Sequence, residues 1–447
     1  MERLLGEKEA DALCNSLLEE PSVSVRINTA KGGQPPQGIE TEPVPWCETG
    51  YYLASRPSFT LDPLFHAGTY YVQEASSMFI EQAFKAMDDR PQRMLDLCAA
   101  PGGKSTLWRS LLPEGALLVV NEPIRQRAMI LLENMTKWGN PDVVVTNAYP
   151  EDFIPLRAFF DVVATDVPCS GEGMFRKEEK AVEDWSPEAV SHCAERQWQI
   201  LCDIWPTLRE GGYLVYSTCT FNREENEDQI QRICAELGAE VIPVPAPDAW
   251  GVRGDTTGGG LPVSHFFPHC VHGEGLFLAL LRKTSGEDGV SKNKKTKKRR
   301  PQPPVSGGKD VAGWLENNGE FKLFRPDETH ICAVRKGLFD DVERVCNTVR
   351  SLSAGIVLAE EKGRKYIPTT ELALSSQCSQ TAFAKAELTL EQAVAYLRKE
   401  TLVLSPDVPR GYVLACYQGH PMGFLNNLGS RANNLYTNEW RIRTKTL

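Results

Sequence analysis

Between residues 90 and 285, short apolar runs alternate with stretches whose apolar positions recur every three or four residues. The short runs 94–98, 117–122, 143–146, 162–166 and 213–218 read as strands, each followed by turn chemistry or a helical stretch. Alternation of this kind predicts a mainly parallel sheet with crossover helices. Pro123 suits the first turn of a helix that runs to Trp138 and stops at Gly139-Asn140. Asn222, with Glu225 three residues on, reads as a capping box that opens another helix. The run 276–281 (LFLALL) reads as a late strand beside the others. The segment before the sheet carries a strand candidate at 23–29 (VSVRINT).

The pattern breaks at 284–309, where Ser, Gly, Lys and Pro replace almost every apolar residue. Such a stretch cannot bury enough surface to order itself and reads as an inter-domain linker. Beyond it, 313–447 is mixed, with short strands at 355–359 and 412–417 and a helix at 390–399. Its tail, GSRANNLYTNEWRIRTKTL, interleaves Arg and Lys with Tyr and Trp. Aromatic and basic residues together suit RNA. Composition alone favours a small β-rich unit whose aromatics pack inward.

A chain of 447 residues exceeds what one core usually serves, so two to four domains are expected. No apolar stretch approaches the roughly eighteen residues needed to span a bilayer. The opening MERLLGEKEADALC is acidic and has no signal-peptide core, so a cytoplasmic location is expected. Thirteen cysteines without metal-ligand spacing suit reduced thiols, and no metal site is expected. The net charge of −10 argues against a global pull on nucleic acid. Seven basic residues in Lys292–Arg300 (KNKKTKKRR) leave −17 on the rest, so any polyanion contact rests on local patches. A solvated linker explains that run equally well.

Chemistry concentrates at the ends of the predicted strands. LDLCAAPGGKST (95–106) places a glycine-rich turn between a strand and a helix, where the backbone can approach a ligand and the helix N-terminus adds a favourable field. A P-loop is excluded, because the glycine it requires falls at Cys98. The second strand ends in Asn121-Glu122, the position from which an acid binds ribose hydroxyls in dinucleotide folds. The fourth strand ends in Asp166-Val167-Pro168-Cys169 and the fifth in Ser217-Thr218-Cys219-Thr220. Two thiols and an acid at one sheet edge suit attack on a pyrimidine ring. Cytosine C5 becomes nucleophilic once a thiolate has added to C6, and an acid near N3 compensates the developing charge. The residues alone do not say which thiol attacks.

HAGTYYVQEASSM (66–78), LDLCAAPGGKST, NEP (121–123), DVPCSGEGMFRK (166–177) and STCT (217–220) together resemble the Sun/NSUN family of RNA 5-methylcytosine methyltransferases. The NNLYTNEWRIR ending resembles its RsmF-type ribosomal-RNA branch, which acts on 16S RNA of the small subunit. The resemblance implies an α/β fold: a Rossmann-like class I methyltransferase domain, a small N-terminal α/β domain and C-terminal PUA-like modules. The corresponding division is 1–60, 61–283, a linker at 284–309, 310–380 and 381–447. It implies S-adenosylmethionine as cofactor, 16S ribosomal RNA as partner and a monomer. Cys219 is cast as the covalent nucleophile and Cys169 as the helper in product release, with Asp166 and Lys104 completing the catalytic group. Cys98, Ala99, Ala100, Pro101, Gly102, Gly103 and Lys104 are implied to line the cofactor, with Glu122 on its ribose and Asp166 close to both ligands. Many members carry an Asp after the third strand for the adenine amino group; here Asn147 stands there. A transfer-RNA cytosine methyltransferase and a non-catalytic ribosome-assembly protein are the alternatives.

Overall fold

The computed structural model describes residues 2–284 and 308–444. The basic run Lys292–Arg300 and most of the expected linker lie outside the described residues.

The centre of the molecule is a nine-stranded sheet. Its strands are β1 (Arg93–Asp96), β2 (Leu117–Asn121), β3 (Val143–Thr146), β4 (Phe160–Asp166), β5 (Leu208–Thr218), β6 (Ala239–Ile242), β7 (Ser264–Phe266), β8 (Leu276–Lys283) and β9 (Ser351–Ala354). Their spatial order is β6-β8-β5-β4-β1-β2-β3-β9, with β7 paired to β8. β3, β2, β1, β4 and β5 run parallel, while β8 returns antiparallel to β5. Every residue of β2 and β3 is buried, as continuous apolar runs require in a sheet covered on both faces. Leu95, Val119, Val163 and Leu214 pack on one face with Leu201 and Phe153; Met94, Leu118, Val162 and Val215 pack on the other with Trp108. The helices that matter for the site are α1 (Gly103–Leu111), α2 (Arg125–Trp138) and α3 (Pro187–Ile204). Ser186 caps α3 by accepting the Ala189 N–H at 3.1 Å.

Two expectations need correction. Residues 222–226 form a turn, and the helix there begins at Glu227. Asn222 Oδ1 does accept the Glu225 N–H at 2.9 Å, as a capping box would. The Glu225 carboxylate, however, is drawn to the Ser170 N–H and the Gln197 amide, and Asn222 does not open the helix. Secondly, the boundary placed at residue 60 falls inside a sheet. The N-terminal sheet has strands 41–43, 50–53, 23–27 and 70–72 in that order, so its last strand comes from the segment assigned to the catalytic domain. The segment 310–380, expected as a first C-terminal module, also contributes a strand to the central sheet. Its strand β9 pairs antiparallel with β3 and closes the edge that β3 would otherwise expose.

Two four-stranded sheets complete the C-terminal part, and Ile331 and Leu358 of one share a core with Leu414 and Phe424 of the other. In the tail, Tyr436 is buried with Trp440 packed against it, while Arg431, Arg441 and Arg443 face solvent. The aromatics pack inward and the basic residues point out. No helix among the described residues is long and apolar enough to cross a membrane.

Candidate active site

β1, β4 and β5 end at one edge of the sheet, with Asp166 in register with Ser217. The loops that leave β4 and β5 therefore start side by side, and each carries one of the two cysteines. Cys169 Sγ and Cys219 Sγ lie 3.2 Å apart as free thiols. Asp166 Oδ1 accepts the Ser217 hydroxyl at 2.8 Å, and Oδ2 accepts the Lys104 ammonium at 3.0 Å. Burial pulls the Lys104 ammonium down, but the charge of Asp166 and its hydrogen bond outweigh this and hold it above its usual value.

A cavity of about 360 Å³ opens at this edge. Its wall includes Cys98, Ala99, Ala100, Pro101, Gly103 and Lys104 from the glycine-rich turn, together with Asp96, Asp166 and Cys219. Gly102, at φ +118°, makes the left-handed turn that starts α1, a conformation L side chains rarely adopt. Gly103 borders the cavity, and a Cβ there would come within 3.4 Å of Tyr71. Asp96 is buried and accepts the Ser105 hydroxyl at 2.7 Å. Burial pushes its carboxyl up to about 7.

Some expected residues stand apart from this wall. Cys169 lies outside it, behind Cys219. Its thiol is pushed well up, first by the hydrogen bond with Cys219 and then by burial, which keeps it protonated at neutral pH. Glu122 and Asn147 also lie outside it. Glu122 is buried; it accepts the Ile124 N–H at 2.9 Å and pairs with Arg127 at 3.3 Å. Asn147 donates its amide hydrogens to the carbonyls of Glu122 and Pro123 at 2.9 and 2.8 Å, which leaves its Oδ1 as the atom able to accept.

Several wall residues escaped the sequence reading. Tyr71, Val72 and Gln73 come from the N-terminal sheet's last strand and the residue after it, so that sheet helps to build the cavity. Buried Arg26 ties the two parts together, donating to Gln73 Oε1 at 2.8 Å and to the Gly103 carbonyl at 3.4 Å. Lys177 and Glu274 also line the cavity and approach each other to 3.4 Å. Tyr71, Val72 and Gln73 fall within HAGTYYVQEASSM and Lys177 ends DVPCSGEGMFRK, whereas Glu274 lies in none of the quoted motifs.

The family model described as 16S rRNA methyltransferase RsmB/F matches residues 85–282. Models of the N-terminal domain and the PUA domain of RsmF match 1–75 and 383–442. The chain is 32% identical over 442 residues to the ribosomal RNA small subunit methyltransferase F of Erwinia tasmaniensis, covering 93% of this chain and 90% of that one. It is also 32% identical to the protein of that name from Escherichia coli O157:H7, with 93% and 89% covered. The chain belongs to the RsmF family of small-subunit ribosomal RNA methyltransferases. Among solved structures, a methyltransferase homologue from Pyrococcus horikoshii is 26% identical with a TM-score of 0.54, covering 63% of this chain and 92% of that chain. NSun6 from the same organism, solved with SFG, shares the fold at 19% identity and a TM-score of 0.54, over 64% of this chain and 97% of that one.

As a member of the RsmF family, the chain is a 16S ribosomal RNA methyltransferase that uses S-adenosylmethionine. The cavity fits that donor in its chemistry. The donor's sulfonium is a cation, and the wall offers it the buried Asp96 carboxyl and Asp166 beside a glycine-rich backbone turn.

Proposed function

We propose that the protein methylates C5 of a cytosine in 16S ribosomal RNA through a covalent bond between Cys219 and C6 of the base. Cys98 to Lys104 and Asp166 would hold S-adenosylmethionine, with Glu122 toward its ribose and Asn147 toward its adenine. The observation that carries the reading is the asymmetry of the two thiols. Cys219 stands in the cavity wall with Asp166 and Lys104, whereas its neighbour Cys169 stands outside that wall. An attacking sulfur must reach the base, and a helper need reach only the attacking sulfur.

In the forward step the Cys219 sulfur bonds to C6, and the C5–C6 π pair moves onto C5. Asp166 holds the proton on the N3 side that neutralises the ring, and Lys104 balances the carboxylate's charge. S-adenosylmethionine, when bound, supplies the electrophilic methyl group that C5 takes up. The C5 proton then passes to a base, its bonding pair re-forms C5=C6, and the C6–S pair returns to Cys219. Hydrogen bonding from the Cys169 thiol to the departing sulfur lowers the cost of that last step.

The protein is expected to act as a cytoplasmic monomer. The reading is tested by offering labelled S-adenosylmethionine with purified small subunits, 16S RNA and transfer RNA. Labelled 5-methylcytidine in 16S RNA is expected. Label confined to transfer RNA would redirect the substrate, and cofactor binding without transfer to any RNA would leave a binding protein.

A further inference from the structure

The two cysteine loops are held by carboxylates that cross over. Glu172 belongs to the Cys169 loop and is buried. One of its oxygens accepts the Thr220 hydroxyl at 2.7 Å, the Phe221 N–H at 2.7 Å and the Asn222 N–H at 3.0 Å. The other accepts the Trp185 indole N–H at 3.1 Å. All but the last of these donors belong to the three residues after Cys219. The next residue, Gly173, donates its N–H to the Cys219 carbonyl at 2.7 Å. Glu225 lies beyond Cys219 and is fully buried, yet its carboxylate accepts the N–H of Ser170, the residue after Cys169, at 3.0 Å. It also accepts the Gln197 amide at 2.7 Å, and the same amide donates to the Pro168 carbonyl on the other side of Cys169. The Asn222 amide completes the set at 2.7 Å from Glu225.

A buried carboxylate is costly unless donors surround it, and one that is surrounded fixes those donors firmly. Glu172 takes three of its four donors from the loop bearing Cys219, whereas Glu225 reaches the loop bearing Cys169 directly at Ser170 and, through the Gln197 amide, at Pro168. We infer that Glu172 and Glu225 are positioning residues of opposite assignment: Glu172 sets the Cys219 loop for attack on the base, and Glu225 sets the Cys169 loop for release of the product. Neither residue is in the wall of the cavity. Their effects on the reaction therefore pass through the loops they hold. A merely structural role would lower all steps together; crossed positioning separates them. The inference rests on the roles proposed above for the two thiols.

The test uses the full chain, small-subunit RNA and S-adenosylmethionine, with denaturing gels that reveal protein covalently bound to RNA. Cys169→Ala is the reference, because loss of the release helper should trap the adduct. Glu225→Gln keeps the shape but weakens the charge-assisted bonds, and should slow release at least about 10-fold, so that adduct accumulates as it does in the reference. If Glu225→Gln does not fold, Asn222→Ala removes one of its donors and should show the same accumulation. Glu172→Gln, placed in the Cys169→Ala background, should slow adduct formation at least about 10-fold. Equal losses of turnover in the Glu225→Gln and Glu172→Gln enzymes, without adduct in the former, would overturn the crossed assignment while Cys169→Ala still traps. Failure of Cys169→Ala to trap would instead overturn the roles of the thiols, and the crossed assignment with them.

Discussion

Replacing Asp96 by asparagine should make the protein more stable at alkaline pH and flatten the dependence of its stability on pH. The carboxyl is buried beneath the glycine-rich turn, with the Ser105 hydroxyl as its hydrogen-bond donor. Burial raises its titration from 3.8 to about 7. Between those values the folded protein binds a proton that the unfolded chain has lost, so stability falls as pH rises. The stabilising contribution of the protonated carboxyl is complete below pH 3.8 and is lost as pH rises through about 7. At about 1.4 kcal/mol per pH unit, the accumulated difference reaches up to about 4 kcal/mol above pH 7. Asparagine has nearly the same shape, keeps an oxygen for Ser105 and has no charge to bury. Denaturant unfolding of the two proteins from pH 5 to 8.5, without cofactor, reads the difference directly. The curves should diverge as pH rises, with the variant gaining on the parent. Parallel curves would show that Asp96 is solvated or paired in the folded protein and refute the reasoning.

Three other perturbations reach different parts of the account. Gly173→Ala would place a Cβ 2.5 Å from the Cys219 carbonyl and 3.1 Å from Gly275 Cα, so the nucleophile's loop must shift; a displacement near 1 Å costs about 100-fold in turnover, read as labelled methyl transfer. Arg335→Ala removes the partner of Asp142, whose side chain is almost wholly buried, and the link to Glu114 and Glu320. It should cost about 3 kcal/mol in denaturant unfolding and loosen the C-terminal part from the central sheet. Neutralising Lys292–Arg300 should flatten the fall of RNA affinity with salt. An unchanged slope would leave that run as a solvated linker.

How much of this was legible depended on whether the signal was local. The strands β1 to β5 and β8 were readable because a sheet covered on both faces demands short, wholly apolar runs, and 117–122 and 143–146 contain little else. The glycine-rich turn and both cysteines were visible as strand-end chemistry. What escaped was non-local. Nothing in SLSA at 351–354 announces that it pairs with β3, some two hundred residues earlier. Tyr71 and Gln73 stand in the motif HAGTYYVQEASSM, yet nothing local in that run says that its strand joins the N-terminal sheet and borders the cavity. Asn222 and Glu225 carry the spacing of a capping box and make one of its bonds, but the Glu225 carboxylate is claimed by Ser170 and Gln197 from elsewhere in the chain. Spacing reports what a side chain can reach locally, and tertiary partners decide what it takes.

The central claim is that Cys219 attacks cytosine. It is tested most directly by mass analysis of nucleosides from 16S RNA treated with the parent enzyme or with Cys219→Ala, each supplied with S-adenosylmethionine. The account predicts 5-methylcytidine from the parent and none from the variant. Undiminished 5-methylcytidine from Cys219→Ala, or a methyl group on another base, would contradict it.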